Sequence, residues 1–276
     1  MVQPHYPVLV YGATFAGIGM AAAAAGQALL VERSALVGHD FIASYNPGTG
    51  YDSPLATSAA EELRTELLAR NLLTSEGRVH LPAMSPVLFN RMKQNRLPVR
   101  MLTELVSVSR TAEGFEVTLF SASGLEKVHV NRIIDTTATC RSKPGHPIAY
   151  TSKSINAYLH CPEGAANPIP AADDQACYVE GLFPGELILK LKLEPGDDWT
   201  TARSKLHSYW KQRHVNCAPW TVAALADTFE VASAEQELEL DAGWSWFPSS
   251  NQPNPLQAYE AGYLKGCRLN ETIPSI

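Results

Sequence analysis

The stretch Gly12-Ala13-Thr14-Phe15-Ala16-Gly17 constrains this chain more than any other. It follows an apolar, β-branched run, Pro7-Val8-Leu9-Val10-Tyr11, of the kind that forms a strand buried on both faces. It opens a run of small apolar residues, Ala16 to Ala25, suited to a helix packed closely on a sheet. Ala28-Leu29-Leu30-Val31 reads as a second strand and completes a βαβ unit that ends at Glu32. The turn matches G-x-G-x-x-G with Thr14 at the middle glycine. Gly12 permits the tight turn, and Gly17 lets the helix approach the sheet. The amides at the helix start then point toward a pyrophosphate. Glu32, about 20 residues after Gly12, can accept both ribose hydroxyls of an adenosine and repels a 2′-phosphate. A glycine turn in an ordinary α/β protein would explain the glycines, but not their combination with the strands, the helix and the carboxylate. A P-loop needs G-K-[ST] after its second glycine, whereas Gly17 is followed by Ile18-Gly19. The short-chain dehydrogenase turn, G-x-x-x-G-x-G, has one residue fewer between its first two glycines, and no tyrosine here has a lysine four residues on.

Composition narrows the partners. With 22 Lys+Arg against 28 Asp+Glu, the net charge of −6 argues against nucleic acid, whose phosphates select basic surfaces. Charged residues are 18% of the 276, against about 25% in an average domain, which hints at surface covered by a ligand or partner. The cysteines, Cys140, Cys161, Cys177, Cys217 and Cys267, are odd in number and form no C-x-x-C. They predict neither a disulfide framework nor a thiolate zinc site, and no metal is expected. Scattered reduced thiols fit the cytoplasm. No apolar run is long enough to span a membrane. The run Ile18 to Val31 contains Gly19, Gly26 and Gln27 and follows a segment without Lys or Arg, so it reads as buried helix and strand rather than a signal peptide.

Farther along, the periodicity predicts helices over Leu55–Leu73 and Ser85–Gln94, the latter with Pro86 in its first turn. It predicts a single strand over Val99–Val108, a hairpin of Phe115–Phe120 and Lys127–Val130 about Ser123-Gly124, and a separate buried strand Arg132–Asp135. Composition shifts near Lys143, and the proline-rich stretch through Pro144, Pro147, Pro162, Pro168 and Pro170 shows no periodicity. Glu186–Leu193 alternates as a strand, Trp199–Arg213 fits an amphipathic helix, and a last helix runs from about Pro255 to Lys265. The expected architecture is α/β: a discontinuous domain of residues 1–144 and 242–276, with a small α+β domain, 145–241, inserted for substrate or partner binding.

The segment Val10 to Gly17 resembles the N-terminus of the FAD-dependent oxidoreductases of the glutathione-reductase-like Rossmann class, closest to the subgroup whose turn reads G-G-T-x-A-G. Val31-Glu32-Arg33 resembles that family's ribose-binding segment, and Val99–Val108 its adenine-contacting strand and loop, near Leu105 and Val106. Ile134-Asp135-Thr136-Thr137-Ala138 resembles the I-D-A-T-G stretch beneath the pyrophosphate, and Asn254 to Gly262 resembles the last helix, whose N-terminus faces the flavin ring. The resemblance covers roughly 7–138 and 244–266. It departs from the family at Ala138, where a glycine is usual, at Val37-Gly38-His39-Asp40, in place of a glycine pair, and at Phe247-Pro248-Ser249-Ser250, in place of a G-D motif.

The resemblance implies FAD as cofactor. Gly12, Thr14, Phe15, Ala16 and Gly17 would cradle the pyrophosphate, with Thr136, Thr137 and Ala138 backing it. Glu32 would hold the ribose, Arg33 would stack on adenine, and Leu105 and Val106 would contact the base. His39 would touch the cofactor, and Asn254, Pro255 and Leu256 would face the flavin. Trp244, Trp246 and Phe247 could wall the ring, and Tyr45 and Tyr51 flank a loop that could act as a lid. His160-Cys161 is more simply structural. No catalytic acid or base stands out. The implied activity is hydride transfer between FAD and a small organic substrate. The alternatives are an FAD-binding subunit that needs a homo- or hetero-oligomeric partner, and an NAD-dependent dehydrogenase using the same turn.

Overall fold

The apolar run before Gly12 becomes β1 (His5–Tyr11), whose last four residues are buried. In the computed structural model, which describes residues 4–24, 26–162, 169–213 and 217–272, it lies inside a mainly parallel sheet. β1 is paired in parallel with β2 (Ala28–Val31) on one side and, on the other, with the last strand of an antiparallel meander, β6 (Gly124–Asp135). Helix α1 (Phe15–Ala23) connects β1 to β2. Beyond β2 lies the short β3 (Val99–Arg100). Ala25, in the alanine run, and Pro168 lie outside the described residues.

Two expectations for this sheet need correction. Val99–Val108 is not one strand: Leu102 takes a left-handed φ of 52°, and the chain leaves the parallel sheet there to begin β4 (Glu104–Thr111). The hairpin arm and the strand Arg132–Asp135 are instead one strand, β6. Its first half pairs antiparallel with β5 (Gly114–Ser121), and its second half runs parallel to β1. The sequence therefore changes from alternation to a continuous apolar run inside one element.

Alternation along β1 divides the core in two. Val8 and Val10 face a layer with Ile18, Leu63 and Leu88, whereas Leu9 and Tyr11 face Phe115, Val117 and Trp244 over the meander. The first layer also holds α2 (Ser58–Ala69) and α3 (Met84–Gln94). α2 is shorter than its apolar pattern predicts, because the Thr57 hydroxyl caps its start and Asn71, at φ 54°, turns the chain after its end.

The second sheet consists of β7 (Tyr150–His160), β8 (Ala176–Glu180), β9 (Glu186–Lys192), β10 (Thr221–Leu225) and β11 (Glu230–Ser233), all antiparallel. Helix α4 (Trp199–Lys211), capped by Asp198, covers it, with Ala202 and Leu206 packed in one core with Ile155 and Leu189 of the sheet. The proline-rich stretch had shown no strand, yet β7 forms the middle of this sheet. Pro144, Pro147 and Pro162 flank it, where their missing N–H groups cost no ladder bonds. The chain re-enters the first sheet at β12 (Leu238–Asp241) and β13 (Trp244–Trp246).

The final helix, α5 (Pro255–Thr272), lies directly on α1. Added side-chain carbons at Gly19 and Gly262 would sit 2.1 Å and 1.9 Å from the carbonyl oxygens of Tyr259 and Ala16, so only glycine permits this approach. The chain is α/β, with a Rossmann-like parallel sheet and a second, antiparallel sheet domain. No helix among the described residues is long and apolar enough to cross a membrane.

Candidate functional site

A cleft of about 520 Å³ opens at the C-terminal ends of β1, β2 and β6, and the second sheet domain closes its far side with Trp199, Asp227 and Phe229. Gly12 forms its floor at φ 103°, and a side-chain carbon there would stand 2.8 Å from Thr137 Cγ2. Thr14 has a local reason to replace the middle glycine. Its Oγ1 caps α1 by accepting the Gly17 amide at 2.9 Å and donates to Thr136 Oγ1 at 2.7 Å. Thr136 in turn donates to the Gly12 carbonyl at 3.0 Å, tying the turn to the end of β6.

Glu32 stands at the rim. Its Oε2 accepts the Ala13 amide at 2.9 Å, and its Oε1 accepts the Ser34 amide at 2.8 Å, with His39 Nε2 3.5 Å away. Burial pushes its pKa up, but hydrogen bonds from His39, Ser34 and Ala13 outweigh that and hold the carboxyl below its ordinary range. His39 Nε2 also lies 2.5 Å from Ser34 Oγ. Arg33 lines the cleft and reaches Glu104 at 3.7 Å.

Asp135, fully buried at the end of β6, shapes the opposite rim. Its Oδ1 accepts the Thr137 amide and hydroxyl at 2.8 and 2.6 Å, and its Oδ2 accepts the Ser142 amide at 2.6 Å. Burial raises its pKa against those bonds. Thr137, Ala138 and Arg141 line the cleft from this turn.

Asp40 is the least expected member. Its Oδ2 accepts the Ser249 hydroxyl and faces the Phe15 amide at 3.4 Å, while Ser249 Oγ accepts the Ala16 amide at 3.0 Å. Side chains therefore meet the amides of Phe15, Ala16 and Gly17 at the start of α1. Asp40 Oδ1 is buried without a partner, and burial pushes this carboxyl up to about 6. Tyr11 Oη is likewise buried at the cleft wall without a hydrogen-bond acceptor, and burial, followed by the charge of Glu104, pushes the phenol up to about 12.

The structure thus brings Gly12, Thr14, Glu32, Arg33, His39, Thr137 and Ala138 into one cleft. Phe15, Ala16 and Gly17 lie buried behind them in the turn, and Thr136 is buried beside it just after β6. Leu105 and Val106 are not among the lining residues, and Val106 is 56% exposed on the meander. Asn254, Pro255 and Leu256 are also absent from the lining. They are buried under the 46–50 loop, where Asn254 caps α5 through the Gln257 amide at 3.0 Å and donates to the Thr49 carbonyl at 2.8 Å. The indoles of Trp244 and Trp246 bond Ser142 Oγ and the Thr137 carbonyl, which makes them struts of the Asp135 turn rather than a wall. Tyr51 is buried and Tyr45 packs edge-on against Tyr158, and neither lines the cleft. Cys161 is buried in the core of the second sheet. No cluster of three or more His, Cys, Asp or Glu among the described residues could hold a metal.

Tyr11, Asp40, Arg141, Trp199, Asp227 and Phe229 were not foreseen as site residues. Tyr11 and Asp40 adjoin the motif and the predicted His39, which could have marked them. The other four reach the cleft only through tertiary structure.

No protein-family model matches the sequence, and no curated protein matches it. Solved structures do. The p-nitrophenol 4-monooxygenase PnpA from Pseudomonas putida DLL-E4 aligns over 98% of this chain and 79% of its own at 14% identity, with a TM-score of 0.57. The myxobacterial chondrochloren halogenase CndH, described as a variant of FAD-dependent halogenases, aligns over 99% and 77% at 14% identity, with a TM-score of 0.63. Aklavinone-11 hydroxylase, solved with FAD and aklavinone, aligns over 98% and 63% at 13% identity, with a TM-score of 0.57. The chain shares the fold of these three enzymes. The chain spans less than two thirds of the length of the last of them.

Proposed function

We propose that this chain is a flavin-dependent oxidoreductase that binds FAD in the cleft and moves a hydride between it and a small organic substrate. The observation that carries the reading is the joining of Gly12, Glu32 and Thr137 in one cleft at the strand ends of this fold. The residues present suit the adenosine diphosphate half of the cofactor. Gly12 leaves room for close backbone approach, Glu32 would offer its carboxylate to the ribose hydroxyls, and Arg141 and the Thr137–Ala138 turn would hold the phosphates. FAD, when bound, supplies the redox chemistry. The chain's own residues bind and orient it, while Trp199 and Phe229, 5.1 Å apart between ring centres, provide an apolar wall that excludes water. The assignment to the glutathione-reductase-like subgroup rests on the sequence resemblance. Residues 145–241 are assigned to the substrate.

The absorbance spectrum of the purified protein, before and after acid precipitation, tests this reading. Flavin bands that pass into the supernatant are expected. No flavin after incubation with FAD would overturn the reading in favour of a nicotinamide dinucleotide. Glu32→Gln is expected to weaken FAD binding about 10- to 100-fold through loss of charged hydrogen bonds to the ribose, as measured by quenching of flavin fluorescence. An unchanged affinity would remove Glu32 from the site.

A second reading, an FAD-binding subunit completed by a partner, is favoured by one feature. Phe120 and Leu125, 52% and 70% exposed, face each other across β5 and β6 as an open apolar pair. Light scattering of the purified chain tests it. The five cysteines are free thiols, which supports the cytoplasm as the compartment.

A further inference from the structure

The amides at the start of α1 form the natural seat for an anion. In this chain a carboxyl group already occupies part of that seat. Asp40 is 6% exposed, its Oδ2 is held by Ser249 and lies 3.4 Å from the Phe15 amide, and it lines the cleft with Gly12 and Thr14. Its Oδ1 has no hydrogen-bond partner. An ionised oxygen buried in this way is costly, and a pyrophosphate entering beside it would place like charges together, of which one must be neutralised. A neutral carboxyl resolves both conflicts, because it removes the like charge and its Oδ1–H becomes a donor, which suits a ligand whose phosphate oxygens only accept.

We propose that Asp40 binds the dinucleotide as a neutral carboxyl, donating Oδ1–H to a phosphate oxygen, so that loading takes up one proton from solvent. The inference rests on the dinucleotide reading of the cleft. The step forms one O–H bond at Asp40, consumes one solvent proton and moves no electrons.

The charged and titratable groups near Asp40 are few. His39 adjoins it in the same loop, and Glu32 is reached through His39. Arg141 and Asp227 line the same cleft. Helix α1 and the 248–250 turn contribute only the uncharged Thr14, Phe15, Ser249 and Ser250. Burial outweighs Ser249, the backbone amides of Asp40 itself and of Phe15, and His39, and brings the free protein's carboxyl to about 6. Above that pH a proton must be supplied for each cofactor bound.

The test is FAD affinity across pH 5 to 8.5, with titration calorimetry at pH 7.5 in buffers of different ionisation enthalpy. The wild-type Kd is expected to rise about tenfold per pH unit above pH 6, with uptake of one proton per FAD. Asp40→Asn keeps an acceptor for Ser249 and presents a fixed N–H donor. It is expected to bind with a flat pH profile, without proton uptake, and up to about 100-fold more tightly than wild type at pH 8. His39→Gln is expected to retain the wild-type slope. Wild-type binding without a slope or proton uptake would overturn this inference and leave the dinucleotide reading intact, as would an Asp40→Asn slope equal to that of wild type. Failure of wild type to bind FAD at any pH would overturn both. The calorimetry uses wild type alone, so it decides the question even if the variant does not fold.

Discussion

Gly262→Ala is expected to cost more than about 3 kcal/mol and to leave little folded protein, a loss that urea denaturation followed by circular dichroism would measure. The added carbon would stand 1.9 Å from the Ala16 carbonyl oxygen and 2.6 Å from its carbon. Both are backbone atoms of a helix pinned to the sheet on its other face, so no side chain can rotate to make room. The helices would have to separate, and because α1 carries the Gly12–Gly17 turn, the cleft would open with them. Gly196→Ala is the matched control. Nothing lies within 4 Å of the added carbon there, and a change within about 0.5 kcal/mol is expected. Equal behaviour of the two variants would show that the α1–α5 contact is not tight.

Asp40→Asn is expected to stabilise the cofactor-free protein at neutral pH by about 3 kcal/mol, the equivalent of moving a carboxyl from its ordinary 3.8 to about 6. The folded state holds this proton more tightly than the unfolded chain does, so stability falls as pH rises from about 4 to 6 and stays lower above that. The advantage of the variant should therefore be near zero at pH 4 and complete by pH 7. In thermal melts this corresponds to a rise of roughly 5–10 °C at pH 7.5. Glu32 runs the other way: its lowered pKa contributes stability present above the ordinary carboxyl range and lost in acid. An Asp40→Asn advantage that did not grow with pH would mean that the wild-type carboxylate is satisfied in a way that burial alone does not capture. A fully buried carboxylate that lowers stability at working pH is the kind of residue retained for function rather than folding.

Much of this protein is legible locally. The βαβ unit around Gly12 could be read because a continuous apolar run, a turn that needs a positive φ and a small-residue helix are each determined by neighbours in sequence. Glu32 followed from its position at the end of the second strand. Strand β7 could not be read, because its prolines lie at its ends and its burial comes from β9, α4 and Trp220, all distant in sequence. The break at Leu102 was hidden because an apolar residue in a left-handed conformation leaves no mark on an alternating pattern.

The site divides in the same way. By itself the sequence determined the strand–turn–helix and the carboxylate at the rim, since these follow from backbone geometry over some twenty residues. The tertiary structure alone decided that Ser249 would reach across from the segment before α5 to hold Asp40 at the α1 terminus. It alone brought Trp199 and Phe229 over from the second sheet, and buried Asn254 to Leu256 beneath the 46–50 loop. Those outcomes depend on which distant surfaces meet when the two sheets and α5 pack, and on the desolvation that packing imposes, neither of which is written in any one stretch of chain.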